Sequence, residues 1–188
     1  LSFISVAELF GFMALITNFI AYRQPTADRY RIVSALALGA LSIHFFMLDA
    51  IAGGIVTGIA VLRNFIALRW QGPWVLWGFV ALNIVFLFIE WLFPIASLQF
   101  STSGVAVTFS TEPSHWSIWI AYTSSIIFTV GSIKLNDPER IRRWFLLAES
   151  LGLIYAIIVG SVSGTIFNIV NLTSIILKLL QDKRARTL

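Results

Sequence analysis

Residues 29–55, RYRIVSALALGALSIHFFMLDAIAGGI, and residues 140–166, RIRRWFLLAESLGLIYAIIVGSVSGTI, follow one plan. Sliding the chain on itself by 111 residues brings Arg29 onto Arg140, Arg31 onto Arg142, Ala37 onto Ala148, Ile43 onto Ile154, Gly53 onto Gly164 and Ile55 onto Ile166 without a gap. Apolar alphabets match easily, so these identities carry little alone. The order carries more: a basic stretch, a long apolar run, a very short joint, a second apolar run and a basic end recur at the same spacing. Both units start on the same side, so they read as parallel repeats, which requires an odd number of crossings between them.

Composition says where such units reside. Of 188 residues, 58% are hydrophobic and 12% charged, about half the roughly 25% charge of a soluble domain. The mean hydropathy of +0.87 leaves too little polar surface for a water-soluble globule, and it excludes a disordered or fibrous chain. A crossing needs about 20 apolar residues. Candidate runs lie near 3–22, 32–48, 50–68, 73–93, 116–135, 141–159 and 162–180, which leaves no room for a soluble catalytic domain. Trp70, Trp74, Trp91, Trp116 and Trp144 fall close to run ends, where an amphipathic ring prefers the headgroup layer. The first run has no basic flank before it and no clear small-residue cleavage site, so it reads as a crossing rather than a signal peptide. Zero cysteines exclude disulfides, thiolate metal sites and Cys nucleophiles.

The basic residues orient the runs. Arg23, Arg29 and Arg31 follow the first, Arg69 the third, Lys134, Arg140, Arg142 and Arg143 the fifth, and Lys178, Lys183, Arg184 and Arg186 end the chain. The intervening joints hold none and carry Asp49 and Glu112. Because cytoplasmic loops collect Lys and Arg, the N-terminus is expected outside and the C-terminus in the cytoplasm. The expected fold is an all-α membrane protein of seven transmembrane helices in a parallel 3+1+3 repeat. Its parts are a first three-helix repeat at 1–70, a linker helix at 71–93, an extracytoplasmic loop at 94–115, a second repeat at 116–181 and a basic tail at 182–188. Segment 100–110 has strand-like composition with a glycine near its centre, fitting a short hairpin or a plain loop.

Polar residues inside the runs are expensive and are functional candidates by default. Glu149 lies near the middle of the sixth run, where a carboxylate is either paired or protonated. Arg63 on the third run is its expected partner. Gly164, Asn168 and Asn171 share one face of the seventh run, and their mates at offset 111 are Gly53, Thr57 and Ala60, with Asn64 one turn on. Such amides either line a central cavity or glue helices together. His44 corresponds to Tyr155 at the same offset; a lone His on an apolar helix is usually packed and satisfied, and no second ligand stands at i+3 or i+4 for a metal. Glu8 and Asn18 share a face of the first run, Asn18 deeper and Glu8 near the outer headgroups.

The stretch His44-Phe45-Phe46-Met47-Leu48 with a Gly-rich turn and Arg63-Asn64 after it, together with Gly160-Ser161-Val162-Ser163-Gly164-Thr165 and Asn171, resembles the YgjV family of bacterial inner-membrane proteins over roughly residues 8–180. That family is similar in helix order to the SWEET and PQ-loop transporters. The resemblance implies the fold and points to transport, with Asn171 matching the amides that SWEET-like proteins use on the last helix of a repeat. The expected function is passage of a small polar solute by alternating access. A membrane scaffold or assembly subunit stands as the alternative, and an intramembrane enzyme ranks third, since no His-Glu-x-x-His or Gly-x-Ser-x-Gly motif is present. A retinal photoreceptor fails for want of a lysine deep in the last helix. The candidate substrate path is Asn171, Asn168, Thr57, Asn18, Glu149, Arg63, Asn64, His44 and Tyr155. The reading assigns no cofactor, metal or nucleic acid; its partners are the bilayer, a small polar solute and, left open, a second copy of the chain.

Overall fold

The computed structural model describes residues 3–21, 24, 26–101, 104–110, 115–135 and 138–187. Among them run seven helices, α1 (Phe3–Ala21), α2 (Ala27–Met47), α3 (Ile51–Ile66), α4 (Pro73–Leu92), α5 (Ser117–Lys134), α6 (Pro138–Ile158) and α7 (Val162–Thr187), and a hairpin of strands β1 (Ile95–Ser101) and β2 (Gly104–Phe109). Each apolar run is a helix. The chain is not wholly α, because the 94–115 segment pairs antiparallel, Leu98 opposite Val107 and Gln99 opposite Ala106. Arg23 and Glu112, both used in orienting the runs, lie outside the described residues.

Helix starts are set by capping, which hydropathy does not see. Helix α2 begins at Ala27, ahead of its apolar run, because the Thr26 side chain accepts from the Arg29 N–H and Asp28 stands in the positive first turn. Helix α6 opens on Pro138, whose fixed φ suits a first helical position. Helix α7 continues to Thr187, so most of the basic tail is helical.

The two short joints share one backbone construction. The Ala50 N–H reaches the Phe45 carbonyl at 2.9 Å and the Asp49 N–H that of Phe46 at 3.2 Å. In the other joint the Ser161 N–H reaches Ala156 at 2.9 Å and the Gly160 N–H reaches Ile157 at 3.1 Å. Asp49 (φ 54°) and Gly160 (φ 70°) occupy the left-handed position, as a Schellman helix end requires. Both of these bonds recur at an offset of 111 residues.

Both joints lie at the same end of the molecule. His44, near the end of α2, bonds the Ala7 carbonyl on α1 and Ser161 at the foot of α7, while Tyr155, near the end of α6, takes the N–H of Gly53 at the foot of α3. Helices α1, α3 and α7 therefore lead away from this turn end, and α2 and α6 lead toward it. Residues His115 and Ser117 at the start of α5, and Glu90 at the end of α4, share a cavity there with Asp49, Ala50 and the first strand. It follows that Arg29, Arg69, Lys134, Arg140 and Lys183 gather at the opposite, basic end.

Packing closes six helices into a ring. Helix α1 lies against α2, α2 against α3, α3 against α5, α5 against α6, α6 against α7 and α7 against α1, with α4 outside on α3 and α5. The burial pattern is inverted relative to a soluble protein. Outward faces carry Leu9, Phe12, Ile16, Phe88, Ile157 and Leu177, all exposed, whereas Asn18, His44, Glu149, Asn168 and Asn171 are buried. A hydrocarbon solvent accounts for this, since apolar atoms lose nothing by facing it and polar groups must find partners within the protein. Helix α4 and the Val162–Gln181 stretch of α7 are long and apolar enough to cross a bilayer unaided. Val6–Ala21 of α1, Arg31–Met47 of α2 and Ile51–Ile66 of α3 are apolar but shorter, and α5 buries the polar Ser124, Ser125 and Thr129.

Candidate functional site

The ring encloses a cavity of about 320 Å3, within the range of small-molecule sites. Its floor, toward the turn end, is made by Phe45, Gly53, Tyr155 and Phe167, and it reaches Arg31, Ser132 and Ile141 at the basic end. Eight of the nine candidate residues line it: Asn18, Thr57, Arg63, Asn64, Glu149, Tyr155, Asn168 and Asn171. Ala60, the offset mate of Asn171, lines it as well.

Its polar centre is a relay across three helices. Asn18 Nδ2 on α1 donates to Asn171 Oδ1 on α7 at 3.0 Å, and Asn171 Nδ2 donates to Glu149 Oε1 on α6 at 2.9 Å. Asn171 is thus engaged at both ends of its amide. Glu149 takes this partner instead of the expected Arg63, whose Nη1 donates to Thr129 Oγ1 on α5 at 3.1 Å. Hydropathy sets the depth of a residue but leaves its direction around the helix open, and Asn171 faces Glu149 directly. Thr129 is the offset mate of Asn18, so α1 and α5 bring polar residues from matching positions to α7 and α3 respectively.

The remaining candidates are held more locally. Asn168 Nδ2 donates to the Gly164 carbonyl at 2.7 Å, with its Oδ1 beside Gly152, where a Cβ would stand 2.6 Å away. Thr57 Oγ1 donates to the Gly53 carbonyl at 2.7 Å. Asn64 Nδ2 donates to Ser34 Oγ at 3.4 Å.

His44 is not part of the cavity. Its Nδ1 lies 2.7 Å from the Ala7 carbonyl, which only accepts and so fixes the proton on that nitrogen. Its Nε2 lies 2.7 Å from Ser161 Oγ and 3.2 Å from Ser163 Oγ. Ser161 Oγ in turn accepts the Gly164 N–H at 2.9 Å, so this cluster caps α7 and binds three helices together, the packed role expected of a lone histidine. Glu8 joins it, accepting the Ser163 N–H at 3.1 Å. A carboxylate at a helix N-terminus satisfies an orphan donor and meets the positive end of the dipole, a role that the headgroup placement of Glu8 missed.

Two buried carboxyl or amide groups escaped the sequence reading. Glu90 accepts from the Tyr122 hydroxyl at 3.0 Å at the turn end, and Asn83 donates to the Phe79 carbonyl at 2.7 Å. Both sit on α4, and the rule that singled out Glu149 covers Glu90 equally.

Among curated proteins and among solved structures, none matches this chain. A family model does, over residues 5–186, and its description is a bacterial inner membrane protein. Together with the apolar exterior and buried polar interior, that match places the chain in the bacterial inner membrane, as a member of the Imp-YgjV family.

Proposed function

We propose that this protein carries a small polar solute across the inner membrane by alternating access between two parallel three-helix units, α1–α3 and α5–α7. The observation that carries the reading is the cavity at the centre of the ring, lined by amides and a carboxylate from helices of both units. The polar groups at its centre bond one another across three helices, which holds them within an apolar layer, beside a space of small-molecule size. The matching joints and the crosswise pairs Asn18–Asn171 and Thr129–Arg63 support the repeat, and the seven helices support seven crossings. If cytoplasmic loops collect the basic residues, the basic end faces the cytoplasm, and the cavity, floored at the turn end, is in an inward-facing state.

Two other readings compete with transport. As a scaffold, the protein would use the Asn18–Asn171–Glu149 relay only as glue between helices. An intramembrane hydrolase would need a serine and histidine exposed to substrate. The pair His44 and Ser161 is buried outside the central cavity and committed to capping, which leaves it unsuited to that chemistry. Reconstitution into liposomes and uptake of a panel of labelled sugars, amino acids and nucleosides separates the classes: a transporter moves at least one of them, a scaffold none.

A further inference from the structure

Tyr155 stands between two cavities. Besides the central one, it lines a second cavity of about 340 Å3 at the turn end, bounded by Asp49, Ile51, Glu90, His115 and Val159. Among the described residues, Tyr155 alone lines both. The two spaces thus meet at one side chain from α6.

The ring of Tyr155 is held by partners from the other unit. Its hydroxyl accepts the Gly53 N–H at 2.8 Å, one of the donors that the first turn of α3 leaves without an intrahelical acceptor. Its ring meets that of Phe45 edge-on, with centroids 5.8 Å apart. Gly53 makes the close fit feasible, since a Cβ there would lie 2.7 Å from Tyr155 Cε1 and 2.9 Å from Phe45 Cγ. One hydrogen bond and one edge-on ring contact tie Tyr155 to α3 and α2, and releasing them breaks no bond within any helix. The offset counterpart, His44, also crosses between units, yet it is fully buried and tied at both ring nitrogens. Of the two crosswise contacts, one is built to stay shut and the other lies on a path.

The geometry points to Tyr155 as the outer gate of the transport path, an assignment that rests on the transporter reading: turning its ring off Gly53 and Phe45 joins the central cavity to the second one. Gating of this kind needs no new space, because a cavity already waits on each side.

The absence of cysteine makes the test direct. A single thiol is placed in the central cavity as Ala60→Cys, and its reaction with a charged, membrane-impermeant thiol reagent is timed in right-side-out and inside-out vesicles. With Tyr155 present, labelling is expected to be fast from the basic face and slow from the turn-end face. Adding Tyr155→Ala is expected to raise the turn-end rate at least tenfold, and Tyr155→Phe, which keeps the ring and loses the bond to Gly53, severalfold. Tyr155→Phe carries the test where Tyr155→Ala fails to insert. If basic-face labelling persists while neither variant speeds labelling from the turn end, the gate assignment is overturned and the cavity stands. Failure of Ala60→Cys to react from the basic face overturns the open cavity itself and the gate with it.

Discussion

Asn171 uses its amide in both directions, accepting from Asn18 and donating to Glu149. Asn171→Ala strands both neighbours inside the protein, and leaving a buried group unsatisfied costs about 1–3 kcal/mol. Glu149→Gln behaves differently, because an amide oxygen still accepts from Asn171 Nδ2. Thermal unfolding in detergent is therefore expected to change little for Glu149→Gln. If the carboxyl carries the coupling proton, the same variant abolishes uptake driven by an imposed pH gradient and retains downhill exchange; unchanged proton-driven uptake removes Glu149 from that role. The rule that ionisable and amide groups within apolar runs are candidates found Asn18, Glu149, Asn168 and Asn171, all of which line the cavity. It misjudged the partner of Glu149, because pairing depends on which way each helix is turned, and periodicity within one helix cannot supply that. Glu90, next to the run-end Trp91, falls under the same rule.

The two joints carry a sharper expectation at the level of the element. Asp49 and Gly160 hold the same left-handed position, and a side chain there costs roughly 1–2 kcal/mol, less for Asp than for most. Gly160→Val is expected to destabilise by about that amount, Asp49→Val by less because Asp already bears part of the cost, and Asp49→Gly by less than about 1 kcal/mol in either direction, since glycine trades strain for chain entropy. Equal tolerance of Val and Gly at both sites in unfolding experiments would contradict the shared construction. Helix existence was legible from apolar length alone, whereas helix starts were not. Thr26 and Asp28 extend α2 beyond its apolar run, and the hydrophobic signal is blind to a capped, solvent-facing first turn. The hairpin at β1 and β2 was legible only as one of two options, because the described side chains of β2 are exposed and leave no buried face to mark a strand.

Over the whole molecule, helix direction separates a basic end from a turn end that carries Glu8, Asp49 and Glu90. Lys183→Cys at the basic end and Thr108→Cys on the hairpin are both exposed sites, so an impermeant thiol reagent in intact cells is expected to label Thr108→Cys and spare Lys183→Cys. Labelling of Lys183→Cys alone reverses the orientation. The closed ring, in which α1 meets α7 and α3 meets α5, was implicit in the offset of 111 but not derivable from it, since a repeat does not say how its copies face each other. Uptake by purified protein in liposomes tests the central claim most directly. The account predicts that at least one solute among the sugars, amino acids and nucleosides enters faster than into protein-free liposomes, and that Asn171→Ala lowers this rate per folded molecule at least tenfold. Entry of every solute at the protein-free rate, or an uptake that Asn171→Ala leaves unchanged while thermal stability falls, would contradict it and leave the relay as structural glue.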